Sequence, residues 1–224
     1  MTSAEAAQAY NRLVAADPAA AVEQAAAMDA AFTARGVTFD GAPMRSFLRP
    51  HLLARADWDR LRGTGRRLME LAARVARQAF GGDAHRLLAW LGIPAAEARW
   101  IAHDPGEPDV VLSRLDAFLT GRGPCFIEVN SDAPAGFGYG DRMAEVIAAL
   151  PVFREFARRV PVRYHGSAPA LLEAVRRAAR MEAPTIAIVD WADVKTRGDQ
   201  EILCQAFQER GLACLLADPR ALDL

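Results

Sequence analysis

The sequence predicts an α/β chain: a helix-rich N-terminal region carrying one β-hairpin, then the start of a parallel sheet. Three observations predict it. Helix start and stop signals recur through the first third of the chain. Two apolar runs with charged residues at every second position flank Gly121-Arg122-Gly123. Near the end, two continuous apolar runs, TIAIVDW and LACLLAD, bracket a helical stretch.

In chain order, Asp17-Pro18 supplies a helix cap followed by proline at the first helical position, and the alanine-rich run closes at Arg35-Gly36. Val22, Ala25, Ala26, Met28 and Phe32 make only a thin apolar stripe, which predicts a covering helix rather than one at a core centre. The stretch VTFDGAPMRSFLRP reads as a loop with turn signals at Asp40-Gly41 and Pro43, pinned to the surface by Phe47, Leu48 and Pro50. From Asp57 to Phe80, Leu61, Leu68, Leu71, Ala72 and Val75 recur at helical spacing. Gly63 and Gly65 inside this helix each cost about 1 kcal/mol relative to alanine. Gly81-Gly82 ends it, Asp83 caps a short helix through Leu91, and Pro94 opens another from Ala95 to Ile101. The charged loop HDPGEPD leads into the hairpin.

Beyond the hairpin, Ser131 to Gly140 reads as a loop and Asp141 as the start of a helix through Leu150. Helices follow over Phe153 to Val160 and Ala168 to Met181. TIAIVDW is short, apolar and β-branched, the pattern of a strand buried on both faces; Glu201 to Arg210 reads as a helix ended by Gly211, and LACLLAD as a second buried strand. Together they form a βαβ unit. Two strands are few for a parallel sheet, so the sheet reads as unfinished. The expected organisation is a helical region with the hairpin over 1–165 and a partial parallel-sheet domain over 166–224.

Composition narrows the function classes. At 224 residues, 52% hydrophobic and 25% charged with a formal net charge of -1, the chain is long enough for a substantial core and offers no basic field for nucleic acid or a membrane surface. No apolar run approaches the roughly 20 residues needed to span a bilayer, and MTSAEAAQAYNRL lacks the plan of a signal peptide, so the expectation is a cytoplasmic protein. Cys125, Cys204 and Cys214 form no CxxC pair and read as core thiols. His51, His85, His103 and His165 are scattered, with no second ligand at metal spacing.

The stretch SRLDAFLTGRGPCFIEVNSDAPAGFGYG, Ser113 to Gly140, carries most of the chemistry. A turn centred on Arg122 sets Asp116 opposite Glu128 and Arg114 opposite Asn130, with all four side chains on one face. Opposed carboxylates ask for a compensating partner. Mg²⁺ meets that need with oxygen ligands, one or two of them carboxylates, and Asp116, Glu128 and Asn130 offer such oxygens. Arg114 is placed to hold a phosphate oxygen. The alternative reading is a solvated face on which Arg114 neutralises one acid. Gly136 to Gly140 is a poor dinucleotide fingerprint and reads as a flexible, substrate-facing loop. Asp190, Asp193, Lys195 and Arg197 follow the first parallel strand, where open α/β sheets bind ligands, or form a polar surface loop.

RLDAFL followed by FIEVNSDAPAG resembles the metal-binding hairpin of ATP-grasp ligases in the circularly permuted arrangement of glutathionylspermidine synthetase-like proteins. FLRP at Phe47 to Pro50 and DPRAL ending at Leu222 are similar to pieces of permuted ATP-grasp proteins. The resemblance implies an ATP-dependent carboxylate–amine ligase acting through an acyl phosphate, with Mg²⁺ and ATP as cofactors and a small-molecule carboxylate and amine as partners. It implies metal ligation by Asp116, Glu128 and Asn130, a catalytic Arg114, and substrate contacts from Ser131, Asp132, Gly136 and Asp190. It also implies that the βαβ unit begins a Rossmann-like substrate domain. Such ligases use lysines from a second lobe to hold phosphate, and Lys195 is this chain's only lysine. The expectation is therefore an N-terminal portion of a longer protein holding one half of the site, the other reading being a non-catalytic small-molecule-binding or scaffold protein.

Overall fold

A computed structural model describes residues 1–102, 112–131 and 133–222. It is a mixed α/β chain that divides into two compact units: residues 1–54 with 112–113 and the described residues from 131 onward, and the described residues of 55–110 with 114–130. Among the described residues no helix is long and apolar enough to cross a membrane.

The first unit opens with α1 (Ser3–Ala16) and α2 (Pro18–Ala34). Thr2 and Glu5 close a reciprocal capping box on α1, and Asp17 caps α2 by accepting from the Ala20 amide at 3.0 Å. Gly36, at φ 73°, turns the chain out of α2. The thin stripe of α2 predicts a cover, yet Met28 and Phe32 are fully buried, while Val22, 70% exposed, and Ala26 face water. Two large side chains one turn apart suffice because alanines beside them let neighbouring helices come close. The stretch after Gly36, read as a loop, forms the small hairpin β1 (Thr38–Phe39) and β2 (Ala42–Pro43). Its Asp40-Gly41 turn has φ of 52° and 76°, the left-handed pair that the right-handed twist of a two-residue hairpin favours. Phe47 stays exposed, while Leu48 packs on the core and its carbonyl accepts from Tyr10 Oη at 3.2 Å.

After residue 131 this unit continues with α6 (Phe137–Ala149), α7 (Pro151–Arg159), α8 (Ser167–Ala179), β5 (Ile186–Val189), α9 (Arg197–Gln208) and β6 (Cys214–Ala217). Tyr10, Met28, Phe32, Tyr139, Phe156 and Ile202 lie at its main core, with Tyr10 edge-on to Phe156 at 5.3 Å. A second cluster joins Leu172, Cys204, Phe207, Leu212 and Cys214 to Ile186 and Ile188. β5 and β6 pair in parallel with Ile186 opposite Cys214, as a βαβ unit requires. The expectation of strands buried on both faces is corrected: β5 alternates half-buried and exposed, and Val189 and Leu215 are each 49% exposed. α8 and α9 cover one face, where a parallel sheet ordinarily has both covered.

The second unit comprises α3 (Arg55–Phe80), α4 (Ala84–Trp90), α5 (Ala95–Ala102) and the hairpin β3 (Arg114–Thr120) with β4 (Gly123–Asn130). α3 runs unbroken through Gly63 and Gly65. Asp83 caps α4 by accepting from the Arg86 amide at 3.1 Å. The hairpin lies on α3, with Leu115 and Phe126 reaching the helix at Gly65. A two-stranded hairpin is marginal alone in water, and this packing supports it. The loop read over His103 to Asp109 lies outside the described residues, as does Asp132.

Candidate functional site

The hairpin register places the four polar residues as the sequence predicts. Arg114 pairs with Asn130, and Asp116 with Glu128. The route differs. The turn has two residues, Gly121-Arg122, with Thr120 opposite Gly123, and the distal pairing is restored by a β-bulge: pairing passes from Ala117–Phe126 to Asp116–Glu128 and skips Ile127.

Arg114 Nε donates to Asp116 Oδ1 at 3.2 Å. With the Asn130 amide oriented to suit its neighbours, Nδ2 donates to Glu128 Oε1 at 3.0 Å and Oδ1 accepts from Arg114 Nη2 at 3.3 Å. Asp116, Arg114, Asn130 and Glu128 thus form one hydrogen-bonded chain across the outer face of both strands. Arg114 lies between an acid and an amide oxygen, which offsets the repulsion of the opposed carboxylates. All three oxygen-bearing side chains are water-accessible. Among the described residues no group of three or more His, Cys, Asp or Glu side chains is placed to hold a metal ion. Two carboxylates and an amide oxygen nevertheless match what Mg²⁺ takes from protein, the remaining positions falling to water and phosphate. On donor chemistry, the residues present fit the ion.

The remaining predicted residues belong to the first unit. Ser131 is exposed. Gly136 to Gly140, expected to be a flexible loop, is the cap and first turn of α6. Gly136 adopts φ 110° and has no capping side chain of its own. Asp199 of α9 supplies one instead: Oδ2 accepts from the Gly136 amide at 2.8 Å and Oδ1 from the Tyr139 amide at 2.7 Å. The amides a phosphate would use are already taken by a carboxylate that is only 2% exposed. Burial pushes the Asp199 carboxyl up from its ordinary value, against the opposing pull of the Tyr139 and Gly136 amides. Gly138 permits this closeness, because a Cβ there would lie 2.6 Å from the Asp199 carbonyl oxygen.

Asp190 ends β5. Its Oδ1 accepts from the Trp191 amide at 2.8 Å and its Oδ2 from Gln200 Nε2 at 2.6 Å, so it braces the loop that follows. That loop borders a cleft of about 310 Å³ lined by Asp193, Lys195, Arg197 and Glu201 together with Thr38 and Asp40. Lys195 Nζ reaches Asp40 Oδ2 at 2.9 Å, and Arg197 Nε reaches Glu201 Oε1 at 3.3 Å. Of the four residues read from the loop, three line the cleft and Asp190 does not. Sequence reasoning passed over Asp199. An acid in the first turn of a helix ordinarily serves that helix, so nothing local marks it as the cap of another.

No family model and no curated protein sequence matches this chain.

Proposed function

We propose that this chain contributes the metal-binding half of the nucleotide site of an ATP-dependent carboxylate–amine ligase of the permuted ATP-grasp, glutathionylspermidine synthetase-like type. One observation carries the reading: Asp116 opposite Glu128 and Arg114 opposite Asn130, on one accessible face of a hairpin. Asp116, Glu128 and the Asn130 oxygen are the residues that would hold Mg²⁺. When bound, the ion would neutralise the β- and γ-phosphates of ATP. Arg114 already reaches two of these residues, and it would hold a phosphoryl oxygen of bound nucleotide by a charge-assisted bond of the same kind. The chain's share of the chemistry is positioning and charge stabilisation while the substrate carboxylate is phosphorylated and the amine displaces phosphate from the acyl phosphate. The β5–α9–β6 unit is read as the start of the accompanying Rossmann-like substrate domain.

The test is ATP turnover by the intact protein with Mg²⁺, a carboxylate and an amine, in wild type and in Glu128→Gln. Glu128 is exposed, so the substitution leaves the hairpin folded, and turnover is expected to disappear. Undiminished turnover in the variant removes the hairpin from the mechanism.

The cleft beside Lys195 favours a second reading, a small-molecule-binding protein without ATP turnover. Saturable binding there, with no turnover for any acceptor pair, would decide for it.

A further inference from the structure

We infer that the bulge at Ile127 is the positioning device of the polar face: it lets Phe126 face α3 while Glu128 faces outward, which a regular strand cannot do. The inference rests on the metal-site reading of the hairpin for its functional meaning, but its geometry stands independently.

Side chains on a strand alternate, so residues two apart share a face. Phe126 and Glu128 are two apart. Yet Phe126 points into the α3 packing, its Cζ 3.7 Å from where a Cβ of Gly65 would stand, beside Leu115 at 3.4 Å. Glu128 points away, opposite Asp116. With the two-residue turn at Gly121-Arg122 and no bulge, the register set by Thr120–Gly123 would continue as Asp116–Ile127 and Leu115–Glu128. Glu128 would then be carried to the α3 side with Leu115, and Asn130 would leave Arg114. A three-residue turn without a bulge keeps Glu128 opposite Asp116 but turns Phe126 outward. Only the two-residue turn combined with one absorbed residue satisfies both the packing and the polar face. Ile127 is that residue, and at 61% exposure it gives up little by being skipped. Bulges recur beside functional sites for this reason, since they re-aim a side chain without breaking the ladder.

Two single-residue deletions test this. Removing Ile127 makes Phe126 and Glu128 neighbours, so a regular ladder sends them to opposite faces with every distal pair intact. Removing Val129 deletes a residue of similar type two positions on and sets Glu128 and Asn130 on opposite faces. Each variant is read by cross-strand nuclear Overhauser contacts between residues 116 and 128 and between 114 and 130, by thermal unfolding, and by electron paramagnetic resonance with Mn²⁺ alone and Mn²⁺ with ATP. The Ile127 deletion is expected to keep both cross-strand contacts and to hold Mn²⁺ within about threefold of wild type, whereas the Val129 deletion loses the 114–130 contact and binds at least about tenfold more weakly. Loss of the 116–128 contact on deleting Ile127, in a chain whose helices remain folded, overturns the inference. If wild type itself does not bind Mn²⁺, the metal reading fails, and the cross-strand contacts alone still decide the role of the bulge. Should the Ile127 deletion fail to fold, Ile127→Gly keeps the residue count and is expected to retain both contacts; their loss there overturns the inference equally.

Discussion

Replacing Asp199 tests the join between α6 and α9 most directly. The carboxylate accepts from the Gly136 and Tyr139 amides at 2.8 and 2.7 Å in a site 2% exposed, and Gly136 has no side chain to serve instead. Asp199→Ala leaves two helix-end donors without this acceptor. A hydrogen bond to a charged group contributes about 1.5–3 kcal/mol, and the desolvation of the carboxylate offsets part of it, so a net loss of about 2–4 kcal/mol is expected. Asp199→Asn retains one acceptor oxygen but turns an NH₂ toward the other donor, so about half that loss is expected. The pH dependence has a definite sign. Burial raises the folded carboxyl above its unfolded value, so the folded state holds the proton more tightly. The associated stability is fully present below the unfolded value of about 4 and is lost as pH rises through the folded value. The wild-type advantage over Asp199→Asn therefore shrinks as pH rises from that unfolded value toward neutrality. Urea unfolding followed by circular dichroism across that range, with exchange protection of the Tyr139 amide as a local probe, measures both effects. A loss below about 0.5 kcal/mol for Asp199→Ala, within the range of ordinary surface substitutions, would refute the capping role. An advantage that grows with pH would show that the amide bonds, not burial, govern the titration.

Two further outcomes follow from local geometry. Gly63→Ala, where an added Cβ meets nothing within 4 Å inside α3, is expected to raise stability by about 0.5–1 kcal/mol, while Gly138→Ala, whose Cβ would lie 2.6 Å from the Asp199 carbonyl oxygen, lowers it by more than that; paired thermal melts compare them. Cys125 is exposed and Cys204 and Cys214 are buried, with burial and the neighbouring Cys204 pushing the Cys214 thiol up to about 12. A thiol reagent should modify Cys125 alone in the folded chain, and rapid reaction of the other two before unfolding would contradict the second core cluster.

The sequence by itself marks most of the helices, the main hairpin and the parallel pair, because periodicity and caps are recorded within a few residues of where they act; it sets no bounds for α1 and takes the β1–β2 hairpin for a loop. It also anticipates that Asp116, Glu128, Arg114 and Asn130 share a face, though through a turn centred on Arg122 that the structure does not adopt. The path to that register is not local. Phe126 must meet Gly65 of α3, and that distant contact selects the two-residue turn and the Ile127 bulge over the simpler three-residue turn. Helix starts fail in the same way. Asp141, read as the start of α6, lies inside that helix and caps α8 instead, accepting from the Ser167 and Ala168 amides at 2.7 and 2.9 Å. The cap of α6 comes from Asp199, 63 positions beyond Gly136. Hydrophobic pattern likewise marks β5 and β6 as buried but does not say how many elements cover them. A side chain's own neighbours in sequence set what it is able to do, and residues far along the chain decide which of those options the fold adopts.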